Sequence, residues 1–173
     1  PATGRLYYTL RADPNIFVTN ANNANLGSIN PGITFGALSW DAKRGVLWGG
    51  GYQAGERGKV YKITPSGTKT LQFTFIPPGG NCYGNTPGFI DGLAYDEGPT
   101  LSNTDDSIWM SDDAGFQLHH LTLSGALIQS FQVPQNPRSG NPGCNTGIAV
   151  DGGFLWLALQ SGPDQAPHDI VRV

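Results

Sequence analysis

Asp91, Asp112, Asp113, Asn145 and His168 carry the side chains best suited to chemistry in this chain. An imidazole titrates near neutrality, so His168 could serve as a general acid or base beside Asp91 or Asp164. Adjacent carboxylates at Asp112 and Asp113 could hold a hard divalent cation such as Ca2+, which takes many oxygen ligands. No D-x-[DN]-x-[DN]-G loop surrounds them, so one turn-capping and one solvated carboxylate is the expectation. The loop aromatics Tyr52, Tyr83 and Phe116 suit contact with a ligand. Cys82 and Cys144 make an even pair, expected to staple two loops as a disulfide; they lack the C-x-x-C spacing of redox and metal sites. His119 and His120 are adjacent, and strand alternation sends such neighbours to opposite faces, so they cannot share one ion. No G-x-S-x-G elbow, Walker-type loop, H-E-x-x-H or dinucleotide fingerprint occurs.

The elements that must position these residues are short strands. Alternating runs bounded by Gly, Pro, Asn and Asp dominate, and helical periodicity is missing. Three segments, Ala37–Asp41, Gly92–Asp96 and Gly147–Asp151, each read small, aliphatic, small, large, Asp. This is strand A of a repeat. Strand B follows as Val46-Leu47-Trp48, Ser107-Ile108-Trp109 and Phe154-Leu155-Trp156, with Arg5-Leu6-Tyr7 as a further copy. Strand C is Val60–Ile63, Leu118–Leu121 and Ile170–Val173, with Ile16–Val18 earlier. The turns Ser66-Gly67 and Ser124-Gly125 lead into strand D at Phe73 and Phe131, and Asn22-Asn23 and Ile29 play those parts in the first copy.

The order is B-C-D, A-B-C-D, A-B-C-D, A-B-C. Trp48 and Trp109 are 61 residues apart and Trp109 and Trp156 are 47 apart, against a propeller repeat of roughly 40–50. An inserted A–B loop, Glu97 to Asp106, explains the longer gap. The expected fold is an all-β propeller of four-stranded antiparallel blades in one domain, with blades at about 4–30, 34–76, 90–133 and 146–173. The first blade lacks A and the last lacks D. The chain is therefore expected to be an arc that closes through missing blades or as a homo-oligomer. The recurring tryptophans are expected between blades.

Composition narrows the partners. Charged residues are only 13% of the chain and net charge is −3, which gives no footing for nucleic acid. No apolar run is long enough for a membrane-spanning helix. The start at Pro1 is expected either of a chain whose signal peptide has been removed or of a piece excised from something longer, and with the single Met and the cysteine pair the expectation is a secreted or periplasmic protein.

At Phe89–Asp96, Ser107–Asp113 and Leu118–Gly125 the chain resembles the NHL, SMP-30 and YVTN-type propellers, especially their exported bacterial relatives of unassigned role. That resemblance implies strand A lining a central channel, with the D–A and B–C loops on the binding face. The metal site of the lactonase-like members does not carry over. The positions just before strand A are Gly36, Asp91 and Thr146, of which one is acidic.

Two readings follow. The favoured one is a non-enzymatic recognition or scaffolding propeller, meeting a protein, glycan or small-molecule ligand through the loop face at Tyr52, Tyr83, Asp91, Asp112, Asp113 and Asn145. The alternative is a lactonase-like hydrolase or lyase at the channel mouth, with Asp91 and His168 as catalytic candidates and a divalent ion as its cofactor.

Overall fold

The computed structural model describes residues 4–77, 87–100, 102, 104–112, 114–136, 144–160 and 168–173, with backbone alone at Asn145 and His168. These residues build four antiparallel sheets. The first holds β1 (Arg5–Thr9), β2 (Ile16–Asn20) and β3 (Asn25–Ile29), in that order. The second holds β4 (Phe35–Asp41), β5 (Val46–Gly51), β6 (Lys59–Ile63) and β7 (Lys69–Thr74); a single 3-10 turn, Ala54–Glu56, lies between β5 and β6. The third holds β8 (Ile90–Asp96), β9 (Ser107–Asp112), β10 (Gln117–Thr122) and β11 (Leu127–Gln132). The fourth holds β12 (Cys144–Asp151), β13 (Phe154–Gln160) and β14 (His168–Arg172). Each is a meander of sequential neighbours, the blade pattern of the repeat. No helix among the described residues is long and apolar enough to cross a membrane.

Alternation decides what lies between blades. In the second sheet Trp48 pairs with Ser39 and Lys62, and Val60 with Gly50 and Phe73, so these side chains share one face. That face packs on Leu93, Tyr95, Ile108, Met110 and Leu121 of the third sheet, forming one buried cluster. The opposite face, with Leu47, Tyr61 and Ile63, packs on Ile16, Val18 and Ile29 of the first sheet. A third cluster joins Leu118 and Val133 to Leu157 and Leu159. The core is thus three layers between four sheets. Burying apolar area, worth about 25 cal/mol per Å2, holds the sheets face to face.

The repeated Asp and Trp are bonded partners. The indole N–H of Trp48 donates to Asp41 at 3.1 Å, and that of Trp109 donates to Asp96 at 3.0 Å. An indole taken out of water needs such an acceptor, which accounts for the Asp that closes strand A in the second and third sheets. The expectation that all three tryptophans sit between blades needs a correction at Trp156. Trp48 is buried and Trp109 half-buried, whereas Trp156 is exposed because no sheet covers that face of the fourth.

The C–D turns act across blades. Gly125 takes φ +85°, and a Cβ there would stand 2.5 Å from the ring of Phe73. The turn of the third sheet therefore lies flat on the last strand of the second. The turn at Gly67 covers Ile29 in the same way.

Candidate functional site at the loop rim

The D–A and B–C loops meet at one end of the sheets, and their bases are tied together across blades. The Gly58 amide donates to the Gly88 carbonyl at 2.7 Å, and the Phe75 amide donates to the Gly58 carbonyl at 2.8 Å. The guanidinium of Arg57 donates to the Pro87 carbonyl at 2.7 Å and lies 6.0 Å from the centroid of the Phe89 ring. Tyr52 also packs on Phe89, with ring centroids 5.3 Å apart. From the third sheet, Asp112 accepts the Gly88 amide at 2.8 Å. Gly88 holds φ +94° within this clasp, a conformation that L side chains rarely adopt. A comparable tie recurs one blade on, where the Phe116 carbonyl accepts the Val133 amide and the Gln132 side-chain amide, both at 2.8 Å.

The innermost strands carry a repeated irregularity. Registers slip between Phe35 and Ala37, between Ile90 and Gly92, and between Asn145 and Gly147. The residue bulged out of the ladder is Gly36, Asp91 or Thr146 in turn. A bulge re-aims the side chain it carries, so Asp91, which is half-buried, owes its placement to a device the repeat uses three times. Thr146 turns its hydroxyl back onto the Ala158 carbonyl at 3.2 Å.

Of the residues singled out from sequence, Tyr52, Asp91 and Asp112 lie at this end, and Tyr52 and Asp112 both bear on the Pro87–Phe89 clasp. Asp112 is buried and occupied with the loop base. Cys82, Tyr83, Asp113 and Asp164 lie outside the described residues. Asn145 is in β12 and His168 in β14, with their side chains outside the description. Cys144 is buried at the start of β12. Among the described residues no group of three or more His, Cys, Asp or Glu could hold a metal ion. Arg57 and Phe89 were missed by sequence reasoning. Neither repeats between blades, and only the Pro-Gly before Phe89 marked the place as a turn.

The two histidines part as alternation requires. His119 is buried, with Nδ1 2.9 Å from the Ser130 hydroxyl and its ring 5.1 Å from that of Phe75. His120 is not simply solvated. Its ring stacks on Trp109 at 4.1 Å and its Nε2 lies 2.7 Å from the Ser107 hydroxyl. Burial lowers the pKa of both from the usual imidazole value, with Asp96 partly opposing that for His120.

At the other end of the sheets, among the A–B turns, lies a charged cluster that sequence reasoning passed over. Asp106 is buried and accepts from Lys43 and Arg44, each at 2.7 Å. Arg44 also donates to Asp41 at 2.8 Å and to the Tyr95 hydroxyl at 3.2 Å. Burial alone would raise the Asp106 pKa, but bonds from Lys43, Arg44 and Tyr95 outweigh it and hold the carboxyl at about 2. Burial and the neighbouring carboxylates push the Tyr95 hydroxyl up. Lys43, Arg44 and Asp106 each have a partner on the neighbouring blade, and the cluster is a clamp between the second and third sheets.

No family model matches the chain, and no curated protein does. Solved structures do match. A luciferin-regenerating enzyme superposes with a TM-score of 0.61 at 15% identity, over 98% of this chain and 57% of that one. BBS1N, crystallised in complex with ARL6DN, gives 0.51 at 14% identity over 91% and 44%. The computationally designed Ika4 protein gives 0.51 at 13% identity over 98% and 86%. This chain therefore spans about half the length of the first two. At such identities the likeness speaks for architecture alone: the four sheets are blades, and the chain folds as a β-propeller.

Proposed function

We propose that this chain is a recognition or scaffolding propeller of the NHL/SMP-30 type, exported from the cell, which binds a protein or glycan through its D–A and B–C loops. The observation that carries the reading is the clasp at Pro87–Phe89. Arg57, Tyr52 and Asp112 come from two different blades, and together they fix the base of a long loop. A loop held rigidly at its root presents its tip at low entropic cost on binding, which is what a recognition surface needs. The same arrangement commits Asp112 to the loop, leaving Asp91 and His168 to carry any hydrolase or lyase chemistry.

Within this reading Cys82 and Cys144 pair as a disulfide joining the two long D–A loops. The burial of Cys144 at the entry to β12 supports that pairing, and an oxidising compartment would preserve it.

The test replaces 77–81, 83–86 and 137–143 with Gly-Ser linkers of equal length, leaving the clasp and Cys82 in place. The exchanged protein should keep its circular dichroism and melting transition and lose binding on glycan and protein arrays that retain the parent chain. Array binding that survives the exchange contradicts the proposal. Hydrolysis of lactone substrates by the parent chain, abolished by Asp91→Ala, would replace it with the enzymatic reading.

A further inference from the structure

The loop rim holds a guanidinium that is fixed at one edge and open at the other. Arg57 spends its Nε–H on the Pro87 carbonyl at 2.7 Å, and its Cζ lies 6.0 Å from the centroid of the Phe89 ring. The two terminal amino groups of the fork have no hydrogen-bond partner among the described residues, and no carboxylate there lies within ion-pair distance of them. The nearby acids are already engaged. Glu56 accepts from the Tyr61 hydroxyl and stands 3.5 Å from the Lys59 ammonium, and Asp112 accepts the Gly88 amide. Arg44, by contrast, is held between Asp41 and Asp106.

The surroundings set the pose of that fork. A Cβ on Gly88 would stand 3.2 Å from the Cβ of Arg57, so the loop base passes close against the arginine stem. Phe89 is backed by Tyr52, whose ring is tilted 49° to it. Tyr52 in turn is seated on the bulge of β4. A Cβ at Gly36 would stand 2.4 Å from the Tyr52 ring, so glycine keeps that seat open, and the Tyr52 amide donates to the Thr34 carbonyl at 3.0 Å. Arg57, Phe89 and Tyr52 are each half-buried, so all three are packed in place and all three still reach the surface.

A guanidinium edge with two parallel N–H donors matches the two oxygens of a carboxylate, a fit that a lysine ammonium does not reproduce. Two rings at a tilt leave room for a methylene stem rather than a flat platform for a sugar ring. Arginine and aromatic residues are also the types enriched where proteins meet. We propose that this part of the rim binds an acidic side chain, Asp or Glu, of a protein partner. Its carboxylate pairs with the open edge of Arg57 and its stem packs on Phe89 and Tyr52. The inference rests on the recognition reading above and names the chemistry that reading requires of the partner. Because Arg57 is already held by Pro87, little side-chain freedom is lost on binding.

The test selects peptides from a random phage-displayed library on the immobilised whole chain and measures the strongest binder, as free peptide, by isothermal titration. The selected set should be enriched in Asp or Glu at one position. Changing that residue to Asn or Gln should weaken binding about tenfold or more, the worth of a hydrogen bond to a charged group. Against Arg57→Lys the same peptide change should cost less than about twofold, because the two partners are coupled; Arg57→Gln serves if the lysine variant does not fold. An arginine that acted only by holding the Pro87 carbonyl would leave the peptide effect undiminished in the variant, and that result overturns the proposal. Selected peptides with no acidic preference overturn it as well, while the recognition reading stands on other contacts. If no peptide is selected the proposal also fails; retention of uronate-bearing glycans on an array would then move the recognition reading to sugars, and an empty array would end it.

Discussion

Asp106 lies between an ammonium and a guanidinium that reach it from the neighbouring blade, and its carboxyl titrates at about 2 rather than 3.8. A carboxylate whose folded pKa is depressed adds stability above its unfolded value, and that stability is lost as pH falls towards the folded one. The window here runs from about pH 4 down to about pH 2. Asp106→Asn should destabilise the fold at neutral pH by about 1.5–3 kcal/mol, the worth of hydrogen bonds to charged groups. Thermal melts of the variant and parent should converge as pH is lowered through the window. An equal gap at pH 7 and pH 2 would show that the clamp owes nothing to charge. This residue was hard to find in the sequence. It lies at the end of an inserted loop with no counterpart in other blades, and its cations are 62 and 63 positions away.

Strands, by contrast, were legible because their causes are local. The alternation of Ala37–Asp41 or Gly92–Asp96 sets which side chains share a face, and the Asp-to-Trp bond repeats with it. What a strand meets on that face depends on the next sheet, and there the sequence is silent. Phe73 and Phe131 occupy one slot of the repeat, yet Phe73 is 7% exposed and Phe131 38%. The turn at Gly125 covers the first. No described turn covers the second, which borders a hollow of about 270 Å3 lined by Trp109, Leu118, Leu155 and Val173. Phe73→Ala should therefore cost about 3 kcal/mol or more, as for a buried ring. Phe131→Ala should fall near the ~0.5 kcal/mol typical of surface positions. Denaturant midpoints of the two variants check this, and equal losses would mean that Phe131 is covered in solution. The bulges at Gly36, Asp91 and Thr146 were visible as aligned positions, but the slip in register that re-aims them was not. Arg57 and Phe89 belong to loops without repeats, and Phe89 meets Arg57 and Tyr52 only once the blades stand side by side.

For the molecule as a whole, the surfaces divide by role. The A–B end is clamped by charge, and the D–A and B–C end carries the tied loops. The account of function rests on that rim being fixed before any partner arrives. Amide hydrogen exchange at Gly58 and Gly88 tests this most directly, because both N–H groups are bonded across the clasp, to the Gly88 carbonyl and to Asp112. If the rim is preorganised, both amides exchange as slowly as those of β6 and β9. Exchange at the rate of an exposed turn such as Asn22-Asn23 would contradict it.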